Sequence, residues 1–192
     1  CVRGPILFKG YLSLPDKTKE AVDKDGWLHS GDVAMILPEH GNAFKIIDRV
    51  KNIFKLQQGE YVAPEKIENK LEKCKYVEQI FVYGDSLQNY LVGILVPKPG
   101  PVIEFLRSKG IDANKDNYKD YFENKDLIKD ILDEIDSFSR SNDIKGFEIV
   151  KNIWLSKENF TIENNLMTTT MKLKRHIAKN YFLEQINKLY GK

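Results

Sequence analysis

The sequence predicts an α+β fold: a small mixed or antiparallel sheet flanked by helices, with a β-rich stretch ahead of it. Two observations carry this prediction. From about Lys51 onward, segments with apolar residues at helical spacing alternate with short apolar runs of strand length. Before Asp48 the chain holds turn formers and short apolar runs, without a long helical period.

In that first stretch, residues 5–10 read as a strand ending at Gly10, and Pro15 opens a short helix toward Val22. Asp25-Gly26 reads as a turn, and Trp27-Leu28-His29 and residues 44–47 as further short strands. Next, Ile53-Phe54-Lys55-Leu56 and Tyr61-Val62 flank Gln57-Gln58-Gly59-Glu60, the pattern of a hairpin or extended loop. Pro64 starts a helix whose Ile67, Leu71 and Cys74 follow the helical period. Residues 77–83 and 91–96 read as two antiparallel strands around a turn near Asp85-Ser86. A helix over 101–109 is closed by Gly110. Another spans 126–141, with Leu127, Ile131, Ile135 and Phe138 on one face. Residues 114–124 lack a period and read as irregular, and 147–155 read as a strand. The last helix is expected over 175–190, with Ile177, Phe182, Ile186 and Leu189 inward.

Composition narrows the function classes. A length of 192 residues suits one domain, or one domain with a piece of another. The net charge of +2 gives no reason to expect a nucleic-acid surface. With only Cys1 and Cys74, a disulfide framework is not expected, and a reducing compartment fits. His29, His40 and His176 are scattered and no metal-ligand spacing occurs, so no protein-held metal is expected. No apolar run reaches the roughly 18–20 residues of a membrane span. The chain opens without Met and reads as cut from something longer, so any targeting or anchoring segment is expected upstream.

Three segments concentrate chemistry-bearing residues. They are Asp25-Gly26-Trp27-Leu28-His29-Ser30-Gly31-Asp32; Ile46-Ile47-Asp48-Arg49-Val50-Lys51-Asn52, running on through Gln58-Gly59-Glu60-Tyr61-Val62-Ala63-Pro64-Glu65-Lys66-Ile67-Glu68; and Leu166-Met167-Thr168-Thr169-Thr170-Met171-Lys172-Leu173-Lys174-Arg175. Together, in this order and separation, they resemble the C-terminal portion of the long-chain fatty acid–CoA ligases (acyl-CoA synthetases) of the adenylate-forming superfamily. The resemblance spans nearly the whole chain and is weakest over residues 98–146.

The resemblance implies a two-step reaction. A fatty carboxylate attacks the α-phosphate of ATP, and the CoA thiol then attacks the acyl-adenylate. It implies that residues 1–48 are the β-rich tail of the last subdomain of an N-terminal domain, and that 49–192 form a mobile C-terminal lid. ATP, CoA and Mg²⁺ are then the expected cofactors, the Mg²⁺ held mainly by the N-terminal domain. The expected partners are the fatty acid and that N-terminal domain, with no nucleic acid, and a membrane only through upstream segments. The expected place is intracellular, cytoplasmic or peripheral on the cytosolic face of a membrane.

The same resemblance assigns roles residue by residue. Asp32 matches the aspartate that holds the ATP ribose, and a carboxylate can accept from two vicinal hydroxyls; alone, it reads as a turn aspartate beside Gly31. Arg49 matches an arginine near that ribose; the other reading is an ion pair with Asp48. Lys51 falls at the hinge between the two catalytic poses, or is a plain surface lysine. Gly59 matches the glycine beside the CoA channel, and also suits a hairpin position with positive φ. Lys172 matches the adenylation lysine, whose ammonium stabilises charge building between carboxylate and α-phosphate. The competing reading is a basic patch shared with Lys174, Arg175 and Lys179. Thr169 stands where the family usually has proline, which loosens the loop ahead of Lys172. No phosphate-cradling loop and no acyl tunnel occur in the chain, so the piece alone is expected to be inactive. Two other readings stand beside the ligase: an adenylate-forming relative with a different acceptor, and a non-catalytic interaction domain on the same scaffold.

Overall fold

The computed structural model describes residues 1–192 and divides into two compact units, Cys1–Ile53 and Phe54–Lys192.

The first unit carries a short helix α1 (Pro15–Ala21) and one antiparallel ribbon, β1 (Asp32–Leu37) with β2 (Ala43–Arg49). Pro15 sits at the start of α1, where its missing N–H has no helical partner to lose. The ribbon turns through a 3₁₀ segment, Pro38–His40, and two left-handed residues, Gly41 (φ 66°) and Asn42 (φ 62°). The strand expected at 44–47 is the middle of β2. The strand expected at 5–10 does not form. Residues 4–7 turn instead, with Leu7 N–H bonded to Gly4 O, and Ile6 is 90% exposed. Apolar residues alone do not make a strand without a ladder partner. Around Trp27-Leu28-His29 only single bridges form, from Leu28 to Val2 and Val22. Strand β1 has no counterpart among the predicted strands: residues 33–37 are a short apolar run, and periodicity alone cannot assign such a run to strand or helix.

The second unit begins with the predicted hairpin, β3 (Phe54–Lys55) against β4 (Tyr61–Val62). Its centre is a three-stranded mixed sheet in the order β5 (Val77–Tyr83), β6 (Leu91–Pro97), β7 (Val150–Leu155). β6 runs antiparallel to β5, as predicted, and parallel to β7. Every residue of β6 is buried, because helices cover both faces of the sheet. The two-residue period of the strand sorts its side chains. Leu91 and Leu95 join the core built with α2 (Pro64–Leu71), α3 (Pro99–Ser108) and α4 (Lys125–Ser141). Val92, Ile94 and Val96 join a second core with α5 (Arg175–Tyr181) and α6 (Leu183–Leu189).

Local signals set the helix limits. Asn124 caps α4, accepting from the N–H groups of Asp126 (2.9 Å) and Leu127 (3.1 Å). The expected final helix is two helices joined at Phe182 (φ −101°, ψ 19°). Hydrogen bonds from Phe182 N–H to Ala178 O and from Ile186 N–H to Phe182 O continue across the joint, so it is a bend, with the Phe182 ring buried against Phe160. β7 starts later than predicted because Gly146–Glu148 form a 3₁₀ turn, in which the buried Glu148 carboxylate accepts from Lys145 N–H. Within 114–124, a 3₁₀ turn at Tyr118–Tyr121 buries Tyr118 and Phe122 edge to face. No helix is long and apolar enough to cross a membrane.

Candidate functional site

Of the five singled-out residues, Asp32, Arg49 and Lys51 lie in the first unit and Gly59 and Lys172 in the second. Asp32 opens β1 and Arg49 closes β2, and the ladder makes them direct partners. Arg49 Nε meets Asp32 Oδ1 at 2.9 Å. This pairing differs from the expected contact with Asp48. The Asp48 carboxylate is buried and accepts from the backbone N–H of Arg49 and from Asn52 Nδ2. Gly31, at φ 72°, leads the chain into the ribbon, and no atom lies within 4 Å of where a Cβ would stand. The Asp32–Arg49 pair is half open to water, and exposed pairs of this kind contribute about 0–1 kcal/mol. Both groups therefore remain available to a polar ligand at little cost. Lys51 lies exposed in the 3₁₀ turn Val50–Asn52, just ahead of the division between the units.

Gly59 sits in the β3–β4 hairpin at φ 95°, a backbone geometry that favours glycine. Its N–H bonds Leu56 O, and Leu56 N–H bonds Glu60 O, closing the turn. The tip is tied to the turn ahead of β6 by Gln57 N–H to Gln88 O and Gln58 Nε2 to Asn89 O. The hairpin reading is thus correct for Gly59, whatever further role it has.

Lys172 ends a tight turn. Met171 is left-handed (φ 57°), and Thr168 N–H donates to Lys172 O while Lys172 N–H donates to Thr168 Oγ1. A single bridge, Met167 to Leu173, forms the neck, with Leu166 and Met167 buried beneath it. Thr168 and Thr170 hydroxyls bond each other at 3.0 Å, so threonine hydrogen bonds brace the turn around Thr169, where a looser loop is expected from the sequence. The Lys172 ammonium has no partner in the chain.

Its basic neighbours are all engaged. Lys174 Nζ donates to Asn165 Oδ1 at 2.6 Å, and Lys179 Nζ lies 5.5 Å from the Tyr83 ring centre. Arg175 forms an ion pair with Glu68 (Nη1–Oε2 2.7 Å) and stacks over Phe81. Of these three neighbours, only Arg175 has its charge met by a carboxylate.

The Glu68–Arg175 pair was not anticipated from sequence. Its signal was there: Pro64, Ile67, Glu68 and Leu71 are the buried residues of α2, at the i, i+3, i+4, i+7 spacing of an apolar stripe. A carboxylate in such a stripe must find a partner. No group of His, Cys, Asp or Glu side chains is placed to hold a metal ion.

No family model matches the chain. In fold it is similar to the adenylation domain of a carboxylate reductase from Mycobacterium chelonae, with a TM-score of 0.81 and 32% identity over 97% of this chain and 26% of that one. The corresponding domain from Segniliparus rugosus, solved in complex with AMP and a co-purified carboxylic acid, gives 0.77 and 30% over 96% of this chain and 26% of that one. The fold defines part of an adenylation domain of the adenylate-forming enzymes. The human long-chain-fatty-acid–CoA ligase 6 is 49% identical over 191 residues, all of this chain and 27% of its own length. The chain belongs to the family of long-chain fatty acid–CoA ligases, as their C-terminal part. It spans about a quarter of the length of the curated relatives it matches.

Proposed function

We propose that the whole protein is an ATP-dependent ligase that joins a long-chain fatty acid to CoA through an acyl-adenylate, and that this chain carries part of its catalytic machinery. In the first step a carboxylate oxygen attacks the α-phosphorus and the bond to pyrophosphate breaks. Negative charge gathers on the oxygens around phosphorus, and the Lys172 ammonium stabilises it. The observation that carries this reading is the contrast at the turn: three basic neighbours are committed to other groups, and the Lys172 ammonium is not.

The remaining roles follow from the same reading. Asp32 accepts from the ribose hydroxyls of ATP, with Arg49 steering the carboxylate from across the ribbon. Lys51 is the hinge between a tail of the N-terminal domain (residues 1–48) and a mobile lid (49–192). Gly59 lines the CoA channel in the second step. Mg²⁺ is assigned to the N-terminal domain, since this chain offers no ligand cluster, and no step here runs through it. Cys1 and Cys74 are unpaired, which fits an intracellular, reducing compartment. CoA as acceptor, rather than the carrier or reductase chemistry of other adenylate-forming enzymes, is supported by the higher identity to the CoA ligases.

The test is Lys172→Ala in the full-length enzyme. Fatty-acid-dependent pyrophosphate release should drop by about 10²–10³-fold with the circular dichroism spectrum unchanged. Unchanged release would remove Lys172 from the mechanism.

A further inference from the structure

The Glu68–Arg175 pair lies between α2, β5 and the segment that carries Lys172. β5 is an edge strand, hydrogen-bonded only to β6. At Val82, its outward-facing backbone groups are taken up by side chains: Val82 N–H donates to Glu68 Oε1 at 2.7 Å, and Arg175 Nη2 donates to Val82 O. Arg175 Nη1 then bridges both Glu68 oxygens, at 2.9 and 2.7 Å. The pair thus stands in for a neighbouring strand, and its two side chains are only 9% and 15% exposed. Arg175 is separated from Lys172 by Leu173 and Lys174 alone. Lys174 N–H donates to Leu166 O, closing the neck of the turn from its other side.

We propose that Glu68 and Arg175 are positioning residues for adenylation: they latch the outgoing end of the Lys172 turn to the sheet and so fix where its ammonium stands. This rests on the reading of Lys172 as the adenylation lysine. The latch consists of a planar fork held by a carboxylate and a carbonyl, and a lysine cannot reproduce that geometry. A shift of about 1 Å in a catalytic group can cost about 10²-fold in rate.

The experiment separates the two half-reactions in the full-length enzyme. Adenylation is followed by pyrophosphate release, and thioester formation by supplying a synthetic acyl-adenylate with CoA. Arg175→Lys should lower the kcat of adenylation by about 10-fold to 10²-fold, with the KM for ATP little changed and thioester formation retained. Glu68→Gln keeps an acceptor for Val82 N–H but loses the ion pair, and should act in the same direction; it decides the matter should Arg175→Lys unfold. A parallel fall in both half-reactions would mean that the pair only stabilises the lid, and no fall in either would mean that it positions nothing. Lys172→Ala is run alongside: if it leaves adenylation intact, the reading beneath the proposal fails, whereas loss in Lys172→Ala with full adenylation in both latch variants overturns the latch alone.

Discussion

A cation can act on a ligand only if its charge is not already neutralised by the protein. By that criterion Arg175, ion-paired with Glu68, is withdrawn; Lys174 and Lys179 keep their charge but hold it on Asn165 and beside the Tyr83 ring, while Lys172 has neither kind of partner. At Gly59 the constraint is backbone geometry. A Cβ there would meet only Lys55 Cε at 3.7 Å, an ordinary contact, so a substitution suffers from φ 95° and not from crowding. Gly59→Ala should therefore destabilise the chain by about 1–2 kcal/mol, read as a lowered urea midpoint with unchanged slope. An unshifted midpoint would mean that the hairpin rearranges at no cost. In the full-length enzyme the same variant tests the channel role: thioester formation should slow while adenylation holds.

At the scale of elements, legibility followed how local the determinants are. β5 and β6 are readable because residues 80–83 and 91–96 are short runs rich in β-branched and aromatic residues on either side of a turn. α4 was readable because its Leu127, Ile131 and Ile135 repeat at helical spacing. The run at 5–10 reads as a strand and forms none, and β1 forms without being predicted, because forming a strand depends on a partner that local sequence does not reveal. The same limit applies to the site. The sequence marks Asp32, Arg49 and Lys172 as candidates, but it does not show that Arg49 turns to Asp32, nor that Arg175 reaches Glu68 from 107 residues away. The central strand offers a direct check on the two-faced sheet. Ile94 and Leu95 are neighbours in β6 that point into opposite cores, and both are fully buried. Ile94→Ala and Leu95→Ala should each cost about 2–5 kcal/mol in denaturant unfolding. If one of the two costs nothing, its face is not packed.

At the scale of the whole molecule, the two units differ in what holds them together. Every fully buried apolar side chain lies between Leu56 and Leu189, so the first unit contributes none. Its ribbon instead leaves Met35, Ile36, Phe44 and Ile46 exposed. A two-stranded ribbon without an apolar core is at best marginally stable in water, whereas the second unit has a sheet covered on both faces. Residues 54–192 expressed alone should therefore unfold in one cooperative thermal transition. Residues 1–53 alone should show no cooperative transition and little protection in amide hydrogen exchange. Differential scanning calorimetry of both pieces checks this. A sharp endotherm from residues 1–53 would mean that the ribbon and α1 build a core of their own, and its absence from residues 54–192 would mean that the two-faced sheet needs the first unit to fold.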